Sequence, residues 1–405
     1  MEHEVIFFVF FNKASRDELK NCVGEISKLK YELQTDKPML QFATDDSNDS
    51  DQKQWNSLLS EIEPDNNSYF SSVWLYSECY IYRRLKSIFQ QSEVLKDFDY
   101  FEQSKKLEFK NSLGTITRVI QCVNDFNANP SPDIGEFFCK LLKVNLWGNR
   151  NDLSITLGKE IVQSGGDPIQ EIESFNEELL IDQTTDIWKL LSVEKENKIV
   201  DIINDNSGYE LLCDFVLADF IIEHKLADKI RFRVKAIPWF ISDVLPSDFK
   251  YTIDELKKSD VEVLREAGTK WDNYVKSGKF VLLEPVDHFW TSPYEFYRME
   301  KLDEPLYKSI GEAYLAIFKG DLNYRKLMGD INWDPTTHFR TALSGFEPTN
   351  LCSLRTVKAD LICGLPPGKS EELFEKAGEN WMATGKYGVI QFNEKRFFTD
   401  DLKSN

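Results

Sequence analysis

Apolar residues follow two different rhythms along this chain. In "SPDIGEFFCKLLKVNLW" Ile134, Phe137, Phe138, Leu141 and Leu142 recur at three- and four-residue steps, as do Leu113, Ile116, Val119, Ile120 and Val123 upstream. That spacing lines one face of an α-helix. Ser131 can cap the first of these segments, and Pro132 fits its first helical position. Trp74 to Phe89, "WLYSECYIYRRLKSIF", is a third helix with a broad aromatic face. From about Lys198 the rhythm becomes short apolar runs alternating with helical stretches, the mark of a mainly parallel sheet with covering helices. The predicted strands are Ile199 to Ile203, Ile230 to Val234, Phe280 to Leu283, Tyr314 to Phe318, Leu351 to Arg355 and Tyr387 to Phe392.

The change of rhythm falls between Asp182 and Lys198, and it divides the chain into a helical part, 1–190, and an α/β part, 191–405. The acidic stretch Asp45 to Gln52, "DDSNDSDQ", reads as a solvated loop. The apolar run Val5 to Phe11 is preceded by acids and is too short for a membrane span, so it reads as a buried strand or helix edge. No other run of apolar residues approaches membrane-spanning length, and a soluble protein is expected.

Composition narrows the partners. A 41% hydrophobic share with 13% aromatics is ordinary for a folded protein of 405 residues. Against 68 acids stand 49 lysines and arginines, and the net charge of −19 disfavours nucleic acid or an anionic membrane as the main partner. Seven cysteines without a C-x-x-C pair read as reduced core thiols of the cytoplasm or the nucleus. There is no glycine-rich nucleotide loop, no G-x-S-x-G and no H-E-x-x-H, and the four histidines are scattered. Trp74, Tyr80 and Tyr82 read as core residues in preference to a stacking platform, because only Arg83 and Arg84 accompany them.

In an open α/β sheet ligands bind beyond the carboxyl ends of the strands. After the first strand stand Asp205, Asn206, Ser207 and Gly208; Asp243 follows the second. Asp321, Asn323, Arg325 and Lys326 follow the fourth, and Arg355 and Lys358 the fifth. Carboxylate and amide oxygens at Asp205, Asn206 and Asp243 suit a hard divalent cation, and Arg325 and Lys358 suit a phosphate. Plainer readings stand beside this one. Ser207 and Glu210 match the S-x-x-E capping box, Asp243 is an ordinary turn acid, and Arg355 and Lys358 are ordinary surface bases.

Several longer stretches share these positions: "DNSGYEL" from Asp205, "FISDVLPSDF" from Phe240, "FKGDLNYRKLMGD" from Phe318, "LRTVKADLICGLPPG" from Leu354 and "TGKYGVIQF" from Thr384. With "WLYSECYIYRRL" and "LWGNRNDLS" in the helical part, they resemble the damage-control phosphatase family, in particular its sugar-phosphate subfamily, some of whose members are also called acidic-residue methyltransferases. The resemblance implies a three-layer α/β/α sandwich with a mainly parallel sheet, preceded by an N-terminal helical domain. It implies Asp205, Asn206 and Asp243 as metal ligands, with Asp205 and Asp243 catalytic. Substrate would be held by Asp205, Asn206, Asp321, Leu322, Asn323, Tyr324, Arg325 and Lys358, the last closing an R-T-x-K motif of Arg355, Thr356, Val357 and Lys358. The chain departs from the family in lacking an Arg-Trp-Pro-like motif near its start and in carrying Asn204 before the Asp-Asn pair.

The implied activity is hydrolysis of phosphorylated sugars such as fructose 1-phosphate and fructose 6-phosphate, using manganese, nickel, cobalt or magnesium. The alternative is carboxyl methylation of a protein substrate with S-adenosylmethionine, in which Glu210 and Asp243 would touch the methyl donor. A third reading is a non-catalytic interaction protein whose acidic loop binds a partner.

Overall fold

The computed structural model describes residues 13–43, 50–128, 133–149 and 172–395. Val5 to Phe11, Ser131, Pro132 and the first part of the acidic stretch, 45–49, lie outside them. Helices α1 (Lys13–Gln34), α2 (Ser50–Glu61), α3 (Trp74–Gln90), α4 (Glu102–Ala128) and α5 (Ile134–Trp147) come first. They are followed by β1 (Leu179–Asp182), α6 (Thr184–Leu191), β2 (Ile199–Ile203), α7 (Tyr209–Glu223), β3 (Lys229–Arg233), α8 (Pro246–Lys257), α9 (Glu262–Ser277) and β4 (Phe280–Leu282). The chain continues through α10 (Glu304–Gly311), β5 (Leu315–Lys319), α11 (Gly320–Leu327), β6 (Leu351–Thr356), α12 (Lys369–Ala377) and β7 (Gly388–Asn393).

All six strands read from the sequence are present, each end within one residue of the reading. The sheet order is β1-β7-β6-β5-β2-β3-β4. Neighbours run parallel except β6 and β7, which pair antiparallel from Leu351↔Asn393 to Thr356↔Gly388. The seventh strand, β1, gave no pattern in the sequence: "LLID" is too short to show a period, and it lies ahead of residue 190 yet pairs with β7. From β2 the chain builds outward through β3 and β4, and from β5 it builds the opposite way through β6 and β7. The switch point therefore lies between β2 and β5.

Alternate strand residues feed two cores. Val200, Ile202, Leu315, Ile317, Cys352 and Leu354 join one; Ile203, Ala316, Phe318, Leu351 and Val389 join the other. Helices α4 to α9 cover the first face, and α1 to α3 with α10 to α12 cover the second, giving the three-layer α/β/α sandwich. Helix α7 is buried at every position from Glu210 to Ala218, since α4 and α5 pack on its outer side.

Three local expectations need correction. Ser50, Asp51 and Gln52 belong to α2 and are not loop; Asp51 grips Arg83 through two hydrogen bonds of 2.7 and 2.8 Å, both side chains buried. The cap of α5 is Asp133, whose carboxylate accepts from the Glu136 N–H at 2.8 Å. Tyr80 is core, its hydroxyl donating to the Leu40 carbonyl, but Trp74 is 41% exposed. The aromatic face of α3 is broad because the helix borders both the core and the mouth of the site described next. All seven cysteines are free thiols, and no described helix is long and apolar enough to cross a membrane.

Candidate active site at the sheet switch point

The loops after β2 and β3 are zipped together. Val244 N–H donates to the Asp205 carbonyl at 2.9 Å, Ser207 N–H donates to the Ser242 carbonyl at 2.8 Å, and Asn206 and Asp243 form an antiparallel bridge. Residues 37 positions apart thereby meet, and Asp205, Asn206 and Asp243 share one buried place at the end of β2.

Amides and lysines organise the acids. Asp205 Oδ2 accepts from Asn149 Nδ2 at 2.7 Å and Asn206 Nδ2 at 2.8 Å. The same two amides donate to Glu210 Oε2 at 2.7 and 2.9 Å, and Asn149 Oδ1 accepts from the Thr356 hydroxyl at 2.6 Å. Lys319, the last residue of β5, donates at 2.8 Å to both Glu210 Oε1 and Asp214 Oδ1, all three side chains fully buried. Asn145 and Asn204 complete Asp214 at 2.7 and 2.8 Å. Lys235 Nζ donates to the Asn204 carbonyl at 2.8 Å and stands 3.1 Å from Asp243 Oδ2. The departure at Asn204 is thus a strut between α7 and the sheet.

Gly320 brings β5 up to this cluster. Its φ is +82°, and a Cβ there would lie 1.9 Å from Asp205 Oδ2, so only glycine lets the backbone pass the carboxylate.

The capping box is not formed. Helix α7 starts at Tyr209 with Gly208 as its N-cap (φ +67°) and no side-chain cap; Ser207 Oγ is buried without a hydrogen-bond partner. Glu210 instead accepts from Lys319, Asn149 and Asn206. A buried ammonium outcompetes backbone N–H groups for a carboxylate.

The charge states follow from this crowding. Burial, then the charges of Glu210 and Asp243, push the Asp205 carboxyl well above its usual range, against Lys235 and Lys358. Burial holds Asp243 up at about 6, with Lys235 opposing. Burial also penalises Glu210, but Lys319 and the amide donors outweigh it and hold that carboxyl low.

The expected bases divide. Lys358 is exposed, its Nζ donating to the Asn149 carbonyl at 2.8 Å. Arg355 is not a surface base: it is fully buried, donating to Asp321 Oδ1 at 2.7 Å and the Leu361 carbonyl at 2.6 Å while lying 4.2 Å from the Tyr324 ring. Thr356 and Val357 are buried as well. In the Asp321–Arg325 stretch, Leu322, Asn323 and Tyr324 point into the protein, Asn323 donating to the Lys319 carbonyl at 2.7 Å. Asp321 and Arg325 lie one helical turn apart and 3.7 Å from each other; Arg325 is buried and also pairs with Asp330 at 2.5 Å and Asp360 at 3.5 Å.

Asn149, Lys235, Asp214, Lys319 and Glu108 were not singled out by sequence. The signal for the lysines was present, since each ends an apolar strand ("RFRVK", "LAIFK") where a charged residue has no packing role. Glu108, on α4, lies against Gly208, and burial raises its carboxyl to about 7, helped by Glu210 and opposed by Lys358.

Fold and geometry together define a class: an α/β/α protein with a buried polar cluster at the switch point of its sheet, the place where open α/β sheets bind ligands. The sequence also matches the damage-control phosphatase ARMT1-like domain over residues 3–373. Damage-control phosphatase ARMT1 of Rattus norvegicus is 40% identical over 409 residues, covering 96% of this chain and 91% of that protein. The Homo sapiens protein of that name is 36% identical over 408 residues (96% and 91%), and the Danio rerio protein 37% over 404 (96% and 88%). The chain belongs to the damage-control phosphatase ARMT1-like family.

Proposed function

We propose that the protein is a divalent-metal-dependent phosphatase of small phosphorylated sugars, fructose 1-phosphate and fructose 6-phosphate among them, acting in the repair of damaged metabolites. The observation that carries the reading is the charge balance at the switch point. Four buried carboxyls, of Asp205, Glu210, Asp214 and Asp243, face two buried lysines, Lys235 and Lys319. A surplus of two negative charges is what a dication offsets; otherwise protons must do so, and burial raises the carboxyls of Asp205, Asp214 and Asp243, of which Asp205 and Asp243 stand together at the strand end.

The donor set fits such an ion. Among the described residues no three histidine, cysteine or acidic side chains form a ready cage. Two carboxylates and an amide instead offer hard oxygens, and two of these are open. No described residue hydrogen-bonds Asp205 Oδ1, and Asp243 Oδ2 is buried with only the poorly aligned Lys235 ion pair. Asp205, Asn206 and Asp243 would hold manganese, nickel, cobalt or magnesium, which when bound polarises a phosphoryl oxygen.

The remaining roles belong to the chain's own groups. Asn149 and Asn206 fix the Asp205 carboxylate in one orientation. Lys319 holds Glu210 low, so that Glu210 anchors both amides without taking up a proton. Lys358, which is exposed, supplies positive charge for an anionic substrate in a chain of net charge −19, and Arg325 would join it by exchanging one of its carboxylate partners for the phosphate. Phosphate release from fructose 1-phosphate, measured with and without manganese for the wild type and for Asp205→Asn, tests the reading. Release that needs both the metal and Asp205 supports it; release that persists without either refutes it.

A further inference from the structure

Helix α3 belongs to the helical half of the chain, yet one of its faces is turned to the site. Trp74, Glu78 and Tyr82 fall four residues apart and form a single stripe. Tyr82 is stacked on Phe240 at 4.7 Å and 25°, and Phe240 sits in the same loop as Asp243. Trp74 lies 6.2 Å from Phe240 and only 3.9 Å from the guanidinium of Arg325. The stripe therefore reaches from the loop after β3, through Phe240, to the last turn of α11, through Arg325.

Three observations mark this wall as built for a ligand. The Glu78 carboxylate is half-buried but makes no hydrogen bond or ion pair among the described residues, its one electrostatic counterpart being Arg325. The Tyr82 hydroxyl also has no hydrogen-bond partner among them, and it lies within electrostatic reach of both Glu78 and Asp243. Phe240 and Ile241 both adopt positive φ, +40° and +69°, an unfavourable conformation for an aromatic and a β-branched residue in succession. Strain of that kind is retained where it aims a side chain at a site.

We propose that Trp74, Glu78, Tyr82 and Phe240 form the subsite for the hydroxylated carbon skeleton of the phosphorylated substrate. This rests on the phosphatase reading above and adds to it the part of the enzyme that reads the sugar. Aromatic faces cover the C–H side of a sugar, the Glu78 carboxylate accepts its hydroxyl protons, and the Tyr82 hydroxyl donates to a ring or chain oxygen. A site built to hydrogen-bond hydroxyls rejects a ligand without them, because its own polar groups are then left unpaired.

The test compares kcat/KM for D-fructose 1-phosphate with that for p-nitrophenyl phosphate, in manganese, for the wild type, Glu78→Gln, Tyr82→Phe and Trp74→Ala. Each substitution is expected to lower the ratio of sugar to aryl phosphate by about tenfold, chiefly through KM for the sugar phosphate. A residue with a purely structural role lowers both activities together and leaves the ratio in place, which overturns the subsite. Should Trp74→Ala fail to fold, Glu78→Gln, which keeps size and shape, decides the matter alone. A wild type that cleaves the aryl phosphate but not the sugar phosphate overturns the sugar class, and one that cleaves neither refutes the phosphatase reading itself.

Discussion

At the scale of single residues, the site is a problem of buried charge. Asp205 and Asn206 were readable because short polar groups just after an apolar strand are conspicuous and strand ends are where ligands bind, whereas Asp243, ten residues beyond β3, was readable only as part of the loop that follows it. Their partners were not. Lys319 reaches Glu210 and Asp214 across 109 and 105 residues, and no spacing rule connects such positions. Glu108 was hidden for a related reason: on a helix surface one glutamate looks like any other, and only its burial in the folded protein, with the charge of Glu210 nearby, raises its carboxyl. Its folded value of about 7 stands above the ordinary 4.5, so the native state binds the proton more tightly than the unfolded chain. The associated stability is fully present below about pH 4.5 and is lost as pH rises through about 7. Glu108→Gln should therefore gain on the wild type as pH increases, by on the order of 2 kcal/mol at pH 8 relative to pH 5. Urea denaturation of both proteins at the two pH values measures this, and a gap that does not change with pH contradicts it.

At the scale of elements, the period of the apolar residues was enough to place every strand but β1 and to define the faces of α3, α4 and α5. What failed was local polar logic. The S-x-x-E pattern at Ser207 predicts a cap, but Glu210 has a stronger partner in Lys319, and a buried ion pair overrides a helix-end preference. The acidic stretch Asp45 to Gln52 read as a solvated loop, yet Asp51 has a buried arginine to satisfy. The closest meeting of elements is that of β5 with the loop after β2, where Gly320 passes the Asp205 carboxylate. Gly320→Ala adds a methyl where that carboxylate stands, at a backbone angle unfavourable for alanine. The carboxylate must then move, and phosphatase activity should fall by about a hundredfold or more, with a stability loss of about 1–3 kcal/mol. Steady-state kinetics beside a thermal melt checks this; near-normal activity would show that Asp205 need not occupy its observed position.

At the scale of the whole molecule, the helical half is more than an N-terminal addition. Helices α4 and α5 cover one face of the sheet and α1 to α3 the other, so the layers are completed by residues from both halves of the chain. Sequence periodicity shows that a helix has an apolar face but not which side of a sheet it will cover, so the dual role of α3 and the position of Glu108 became visible only in three dimensions. Under the proposed reading, a chain of net charge −19 needs a local positive centre to hold an anionic substrate, and the surplus of buried acid at the switch point is the place where a bound cation would supply it. The most direct measurement is anomalous diffraction from crystals grown with manganese and inorganic phosphate. A manganese peak bounded by Asp205, Asn206 and Asp243, with phosphate between it and Lys358 or Arg325, is the predicted result. Crystals saturated with manganese that show no peak there, or phosphate bound away from the switch point, would contradict the account.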